Sequence, residues 1–592
     1  MQFKLISELN KKYSPIEQVL ANRGIEEKEF NHYLNTTDAD VSNPSDFGLD
    51  LLKQAATILM TTIHNDETML VIVDADCDGF TSSAIILNYL YELFPYWVES
   101  KVDYVLHSGK QHGLADHIDS IVDKGYGLVL IPDAGTNDSE QCKRLQDKGT
   151  KVVILDHHLA EEEGNPYAVI INNQTTEYPN KALSGAGVVY QFCRYIDSLL
   201  GQDYADHYLD LCALGNMADV MSLKSIETKH LINKGFQPEY ITNPFIYGMW
   251  EKNKFKLGEH ITPMGAAFYI APFVNAMVRS GTPEEKELLF SSMLKYKAFK
   301  ELPSTKRGHA LNEMERVVDQ ALRTCTNVKN RQGRAQDTGM EVLETRIETN
   351  NMLDHKVLLF LMKPGEIDPN IAGLIANKLA SKYQRPCCIL TRTMVQNEDG
   401  TESAVYQGSA RGYERTGVSD FKKICFETGL TTFTIGHENA FGLGIREGDE
   451  AEFTKLTDAA LQDITSEPMY YVDYIFNASE FTEENCGEII LDIARHEELW
   501  GKDVDEPYIA IKGLKVNKDN IVMMKSNTVK IKAGIDIIRF RMSDEEYEKL
   551  NVEGFVEINA ICRCNLNEWQ GYISPQCFLE DYEIIDSAKY FF

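Results

Sequence analysis

Three carboxylates fall within five positions in the stretch VIVDADCDGF: Asp74, Asp76 and Asp78, followed by Gly79. They close an apolar run, Val71-Ile72-Val73, that reads as buried. Like charges at that spacing repel, so the arrangement calls for a cation. The pattern returns twice. Leu128–Ile131 ends in Pro132-Asp133-Ala134-Gly135, and Lys151–Leu155 ends in Asp156-His157-His158. The apolar stretch LCALGNMADVM then delivers Asp219. If the chain from 74 to 78 stays extended, the period of two puts its three acids on one face. Oxygen-rich ligation with one imidazole suits Mn²⁺ or Mg²⁺ better than a structural zinc site. Asp74, Asp76, Asp78, Asp133, His157 and Asp219 exceed what one ion needs. They fit two ions roughly 3.5–4 Å apart, a pair that activates water for in-line attack on phosphorus.

Such residues need a scaffold that gathers them. Met69–Val73 predicts a buried strand, Thr81–Phe94 an apolar-rich helix and Ser139–Lys148 a polar one. Strands alternating with helices imply a parallel sheet covered on both faces. Ligands of such sheets sit outside the carboxyl ends of the strands. Each metal-binding candidate, Asp219 included, is expected directly after an apolar strand.

At 592 residues the chain has room for three or four domains. No run of about 18 apolar residues predicts a membrane span. The start, MQFKLISELNKKYS, lacks a basic flank followed by an apolar core, so no signal peptide is expected. Twelve scattered cysteines without a CxxC pair fit a reducing cytoplasm better than a disulfide framework. The net charge of −31 by itself argues against a polyanionic partner.

The motifs DADCDG, PDAG, DHH and ADV, in that order, resemble those of the DHH phosphoesterases. The rest of the chain is similar to the RecJ-type single-strand exonucleases among them. LANRGI (20–25), DGFTS (78–82), ALSGAGVVY (182–190), ADVMSL (218–223) and IAPFVNAMVR (270–279) all match segments of that group. NIAGLIANKLASKYQRPCCIL (370–390), GSAR (408–411) and GHENAFG (436–442) resemble its DHHA1 domain, and NEWQG (567–571) its OB domain. The resemblance implies metal ligation by Asp74, Asp76, Asp78, Asp133, His157 and Asp219, with Asp133 bridging. It implies that Asp156 orients a histidine and that His158 faces the scissile phosphate. Phe273, Ile435, Phe441 and Lys229 depart from the family pattern and mark a divergent member, of viral or mobile-element type.

The implied architecture is α/β. A DHH catalytic domain with its N-terminal segment (1–299) is joined by a helix (300–334) to a smaller α/β DHHA1 domain (335–464), and an all-β OB-like barrel (465–592) follows. The helix is expected to carry an apolar stripe of Leu311, Met314, Val317, Val318 and Leu322, with Arg316, Arg323, Lys329 and Arg331 flanking a groove.

Two basic segments offset the acidic total. Residues 300–334 hold eight Lys or Arg against four acids, and residues 511–541 hold eight against two. Basic strands with interleaved aromatics are what single-strand binding surfaces use. Lys512, Lys530 and Trp569 are the candidates there. In the DHHA1-like part Arg411 and His437 are placed to hold a phosphate, with Gly408, Ser409 and Gly436 allowing close backbone approach. Asn275, Arg279 and His112 complete the expected substrate-binding set.

The expected activity is metal-dependent 5′→3′ hydrolysis of single-stranded DNA to mononucleotides, in repair, recombination or replication. The polarity comes from the resemblance alone. Two divalent ions, Mn²⁺ or Mg²⁺, are the implied cofactors. Single-stranded DNA is the implied partner; RNA, a helicase and a single-strand-binding protein stay open, and no membrane is involved. Two rivals are a DHH phosphodiesterase acting on short oligonucleotides or cyclic dinucleotides, and a non-catalytic replication scaffold.

Overall fold

Five short runs rich in Leu, Ile and Val build one sheet: β1 (Met69–Val73), β2 (Val102–Leu106), β3 (Leu128–Pro132), β4 (Lys151–Asp156) and β5 (Val169–Asn172). All pair in parallel, in the order β2-β1-β3-β4-β5. This is a doubly wound order whose direction reverses between β1 and β3, where ligands of such sheets collect. β1 and β3 are buried along their whole length, as strands covered on both faces must be. Ile72, Val129, Ile131 and Ile154 pack on Ile118, Ile121 and Leu145, each contributing about 1.5–3 kcal/mol.

The helices that serve the site are α1 (Cys77–Leu93), α2 (Gly185–Leu200) and α3 (Leu209–Ala218). α1 starts at once after β1. Gly79 makes this possible: a Cβ there would lie 2.5 Å from Asp74 Cβ. The extended path expected from Asp74 to Asp78 is therefore interrupted. Asp76 is the extended N-cap of α1, and Asp78 lies in its first turn. Asp219 likewise follows a helix, α3, and not a strand. The apolar stretch before it is too evenly buried to reveal its period.

This computed structural model describes all residues except 110, 162–163, 397–399, 414, 416, 463–468 and 589–592. The chain forms two compact units. Ile25–Arg331 with Glu497–Asp505 form the first, and Met1–Gly24, Gln332–His496 and Glu506–Phe592 the second. The N-terminal segment thus sits with the second unit, not with the parallel sheet of β1–β5. Its strand Gln2–Leu5 pairs in parallel with Met469–Val472, and Arg23 forms a 2.8 Å ion pair with buried Asp473.

The long helix also differs from expectation. α4 runs from Val317 to Thr349 and passes from one unit into the other. Residues 301–303 and 314–316 form an antiparallel hairpin ahead of it. Gly308, at φ 77°, turns the connecting loop, and Leu311 is 93% exposed. Leu311 and Met314 therefore belong to the hairpin and not to the stripe. Arg316, Arg323 and Arg331 are paired with Asp319, Glu315 and Glu285.

In the second unit, β6 (Leu358–Met362), α5 (Pro369–Tyr383), β7 (Cys387–Gln396), β8 (Glu402–Arg411), β9 (Thr431–His437), β10 (Ala440–Arg446) and α6 (Glu450–Ala460) form an α/β layer with strand order β9-β10-β8-β7-β6. Leu343 and Ile347 of α4 pack there on Phe360, Ile375 and Leu379. An all-β sheet follows, of β11 (Tyr474–Asn477), β12 (Tyr508–Val516), β13 (Ile521–Met523), β14 (Val529–Ala533), β15 (Ile535–Arg539), β16 (Phe555–Trp569) and β17 (Tyr572–Ala588). Its order is β11-β12-β16-β17-β15-β14-β13. The expected boundary at 464 and 465 lies outside the described residues.

Candidate metal centre

Asp74 leaves the end of β1 and is 1% exposed. Asp133 leaves the end of β3 on the other side of the reversal, also 1% exposed. It adopts φ 63°, a left-handed conformation that Asp tolerates better than most residues, and its N–H is pinned to Leu155 O at 2.8 Å. His157 follows β4. Its Nε2 lies 3.2 Å from Asp133 Oδ1, 3.4 Å from Asp219 Oδ2 and 3.9 Å from Asp78 Oδ2.

Three overlapping triads result among the described residues. Asp74, Asp76 and Asp133 bring ligand atoms within 4.8 Å of one another, and so do Asp78, His157 and Asp219, and Asp133, His157 and His158. All six predicted metal ligands therefore converge on one spot. Asp133 Oδ1 and His157 Nε2 are buried atoms with no hydrogen bond. Burial drives the carboxyls of Asp74, Asp78 and Asp133 above their ordinary range, and neighbouring acids add to this for Asp133. Burial, then Asp78 and Asp76, push Asp219 up to about 8. So crowded a cluster must take up protons or cations. Oxygen donors with one neutral imidazole fit a divalent cation, because the orphaned atoms point inward and nothing in the protein satisfies them.

Asp156 ends β4 and serves the two histidines. Its Oδ1 accepts from the His157 and His158 backbone N–H groups at 2.7 and 3.2 Å and contacts His158 Nδ1 at 2.7 Å. Its Oδ2 accepts from Thr136 N and Oγ1. Burial opposes its ionisation, yet bonds from His158 and Thr136 hold it well below the usual carboxylate range. Asp156 in turn raises His158 to about 9.

Residues 68–216 match the DHH family, N-terminal domain, and residues 472–581 match the RecJ OB domain. A Bacillus subtilis protein with the provisional name SPbeta prophage-derived single-strand DNA-specific exonuclease YorK is 32% identical over 596 residues, 100% of this chain and 99% of that one. The chain belongs to the RecJ family of DHH proteins. The Bacillus subtilis single-stranded-DNA-specific exonuclease RecJ is 23% identical over 589 residues, covering 96% of this chain and 67% of RecJ. RecJ of Thermus thermophilus in complex with Mn²⁺ has the same fold, with a TM-score of 0.70 over 99% of this chain and 80% of its own at 17% identity. The DHH sheet, the smaller α/β layer and the all-β OB-like part are thus the α/β architecture of RecJ proteins.

The sequence motif ALSGAGVVY carries more than family likeness. Ser184 Oγ and the N–H groups of Gly185 and Ala186, at the start of α2, all donate to Asp78 at 2.7–3.1 Å. A helix N-terminus is a ready site for an anion. A Cβ on Gly185 would lie 2.5 Å from Asp133 Oδ1, and one on Gly215 would lie 2.4 Å from Asp78 Oδ1. Sequence reasoning gave none of Ser184, Gly185, Gly215 or Thr136 a role. A helix opening on Ser-Gly-Ala-Gly was the available signal.

The remaining predicted residues fall in several places. His112 sits beside the centre, with Nδ1 2.5 Å from Asp74 Oδ2. Asn275 and Arg279 are one turn apart on the helix Ala271–Ser280, which packs on α1 and α3. Arg411 and His437 both lie opposite Ala440, from either side of β10, so the register brings them onto one face. Arg411 also lies against Gly373 and Ser409, where a Cβ on Gly373 would meet its Nη2 at 2.5 Å. Gly408 serves packing, since a Cβ there would lie 2.1 Å from Ile389 O. Gly436 takes φ 128° beside Ala440 O. Phe441 turns into the core, 5.7 Å from Phe421, and Ile435 is exposed.

The basic segment 511–541 does not form one patch. Lys512 and Lys515 lie on β12 and Lys530 and Lys532 on β14, with β16, β17 and β15 between them in the sheet. Lys530 is paired with Asp536 and Lys518 with Glu553. Lys512 and Lys515 lie over the rings of Phe3 and Phe555. Trp569 is exposed, beside a tight turn through Gln570 and Gly571.

Proposed function

We propose that this RecJ-family chain is a metal-dependent exonuclease that degrades single-stranded DNA to mononucleotides from the 5′ end, in the cytoplasm, during repair, recombination or replication. The observation that carries this reading is that the Asp74, Asp76, Asp133 triad and the Asp78, His157, Asp219 triad meet at the orphaned contact between Asp133 and His157. Asp74, Asp76 and Asp133 would hold one divalent cation; Asp78, His157 and Asp219 would hold a second, with Asp133 near both. A bound pair of this kind supplies Lewis acidity and a nucleophilic water at neutral pH.

The protein's own residues do the rest. Thr136 fixes Asp156, and Asp156 holds His158 Nδ1. His158 can then present a proton on Nε2 to a phosphate oxygen as negative charge grows there. The Ser184, Gly185 and Ala186 donors keep both oxygens of Asp78 aimed. Arg411 and His437, sharing one face of the smaller layer, suit the phosphate backbone of a strand; Arg offers a two-pronged donor. Trp569 and Tyr572, 69% and 81% exposed, are available for stacking on bases. Twelve buried, unpaired cysteines support a reducing compartment. A helicase or single-strand-binding protein would fit as a partner that presents the strand.

The test is an assay on one long strand, labelled at either end, with Mn²⁺ or chelator. Early mononucleotide release from the 5′ label alone is expected. Release from the 3′ label, or activity confined to dinucleotides, would refute the proposed polarity or substrate.

A further inference from the structure

One edge of the β9-β10-β8-β7-β6 sheet is left unpaired within its own unit. β6 is the last strand and runs parallel to β7, with Leu358 opposite Cys387 and Met362 opposite Thr391. Leu358 N–H donates to Pro386 O at 2.9 Å. In a parallel ladder, alternate residues turn both backbone groups to the same neighbour. Leu358, Phe360 and Met362 therefore face β7, and Leu359 and Leu361 direct their N–H and C=O groups outward. One of these four groups is met, because Arg346 Nη1 approaches Leu361 O at 3.4 Å. Among the described residues, neither outward N–H has an acceptor.

The outward groups open into a groove of ≈ 390 Å³. Arg346 and Asn350 at the end of α4 form one wall, and Glu450 and Thr454 of α6 the other. Natural edge strands are usually guarded by charge, proline, a bulge or a cover. β6 reads Leu-Leu-Phe-Leu-Met and has none of the first three. The opposite edge, β9, is threonine-rich and interrupted by a register shift. Of the charged side chains beside the groove, Arg346 holds Glu366 at 3.1 Å and His355 holds Asp458 at 2.7 Å, while Glu450 accepts from the Gly448 N–H at 3.0 Å. The rest of the lining, Met352, Val357, Leu359, Phe360, Leu361 and Ala451, is apolar and sets the apolar character of what the groove can take.

We propose that this edge receives an extended, apolar peptide segment of a partner protein as a sixth strand beside β6. Leu359 and Leu361 would supply the ladder bonds, and alternate peptide side chains would enter the groove. A second copy of this chain fits less well. Pairing β6 with β6 of a second copy would bring the groove walls of both copies, the end of α4 and α6, against each other.

A phage-displayed random-peptide library panned against the full chain provides the probe. Apolar, strand-forming peptides should be enriched. Leu359→Pro should weaken their binding roughly tenfold or more, because it deletes one outward N–H. Proline is tolerated on an edge when its nitrogen faces away from the ladder, so the fold should survive. Leu359→Ala, which keeps the N–H, should bind nearly as the parent does. If Leu359→Pro fails to fold, amide exchange decides: a selected peptide should slow exchange at Leu359 and Leu361 of the unmodified chain. The proposal is overturned by a library without enrichment, by peptides that bind Leu359→Pro equally, or by unchanged exchange at both amides. A concentration-dependent dimer that Leu359→Pro abolishes would overturn it too and assign the edge to a second copy.

Discussion

Asp133 Oδ1 and His157 Nε2 lie 3.2 Å apart, both buried, and neither completes a hydrogen bond. Leaving a buried polar group unmet costs about 1–3 kcal/mol. The contact is tolerable only as part of a site that binds something, and the surrounding acids make that something positive.

Metal should therefore stabilise the protein. Mn²⁺ at a hundredfold excess over its Kd contributes about 2.7 kcal/mol. For a unit of this size that is a rise in Tm of about 4 °C. Asp133→Ala should remove most of this rise and abolish strand cleavage. It should also raise the Tm measured in chelator, since a buried carboxyl crowded by Asp78, Asp76 and Asp74 is gone. Equal Mn²⁺-induced shifts in both proteins, read by scanning fluorimetry, would show that Asp133 is not a ligand.

Gly185→Ala tests the close approach of α2. Its new Cβ would crowd Asp133 Cβ and Oδ1 at 2.5 Å. Metal affinity should fall by about 10–100-fold, the usual cost of disturbing groups that orient ligands. Ser184→Ala, which removes one donor to Asp78 but adds no bulk, should cost less. Calorimetric titration of both variants with Mn²⁺ ranks them; similar affinities for Gly185→Ala and the parent would mean that α2 shifts freely.

The catalytic sheet was legible because β1, β3 and β4 are apolar runs that each end in an acid. Asp74, Asp133 and His157 could be placed from that alone. Asp78 and Asp219 reach the same point from helices, and a period of two cannot show this. The split of Lys512 from Lys530 was hidden for a different reason. Sequence neighbours on β12 and β14 are separated by three strands contributed from residues 535–588. The pairing of Gln2–Leu5 with Met469–Val472 is equally non-local, so no local pattern announces it.

Acid sensitivity should trace in part to His107. It is 3% exposed, and both ring nitrogens lack a partner. Burial first, then the charge of His117, lower it to about 4, against its ordinary 6.5; Asp116 opposes this, and His112 and Lys286 add to it. The unfolded chain thus binds the extra proton between pH 6.5 and 4 while the folded chain does not. Stability is therefore lost as pH falls through that window, by about 2–3 kcal/mol for this residue. His107→Leu should flatten the fall in denaturation midpoints measured between these pH values. An unchanged slope would mean that His107 gains a proton partner in the folded protein.

The separation of the lysines predicts unequal effects on strand binding. Lys532 is exposed and has no paired acid among the described residues, whereas Lys530 is held by Asp536. Lys512 and Lys515 are exposed on β12, with their ammonium groups over the rings of Phe3 and Phe555. If β12 follows the phosphate backbone, Lys512→Ala with Lys515→Ala should lower the log–log salt slope of binding by about 0.7 per phosphate no longer neutralised. Lys530→Ala should leave the slope nearly unchanged, because its charge is already neutralised within the sheet. Lys532→Ala discriminates further, since a drop of about 0.7 there would bring β14 into the strand path as well. Binding of a long labelled strand across a salt series gives all of these slopes. Equal slopes for the parent and the Lys512, Lys515 double variant would exclude β12 from the path and turn attention to β14, the exposed Trp569 and Tyr572 turn and the Arg411 and His437 face.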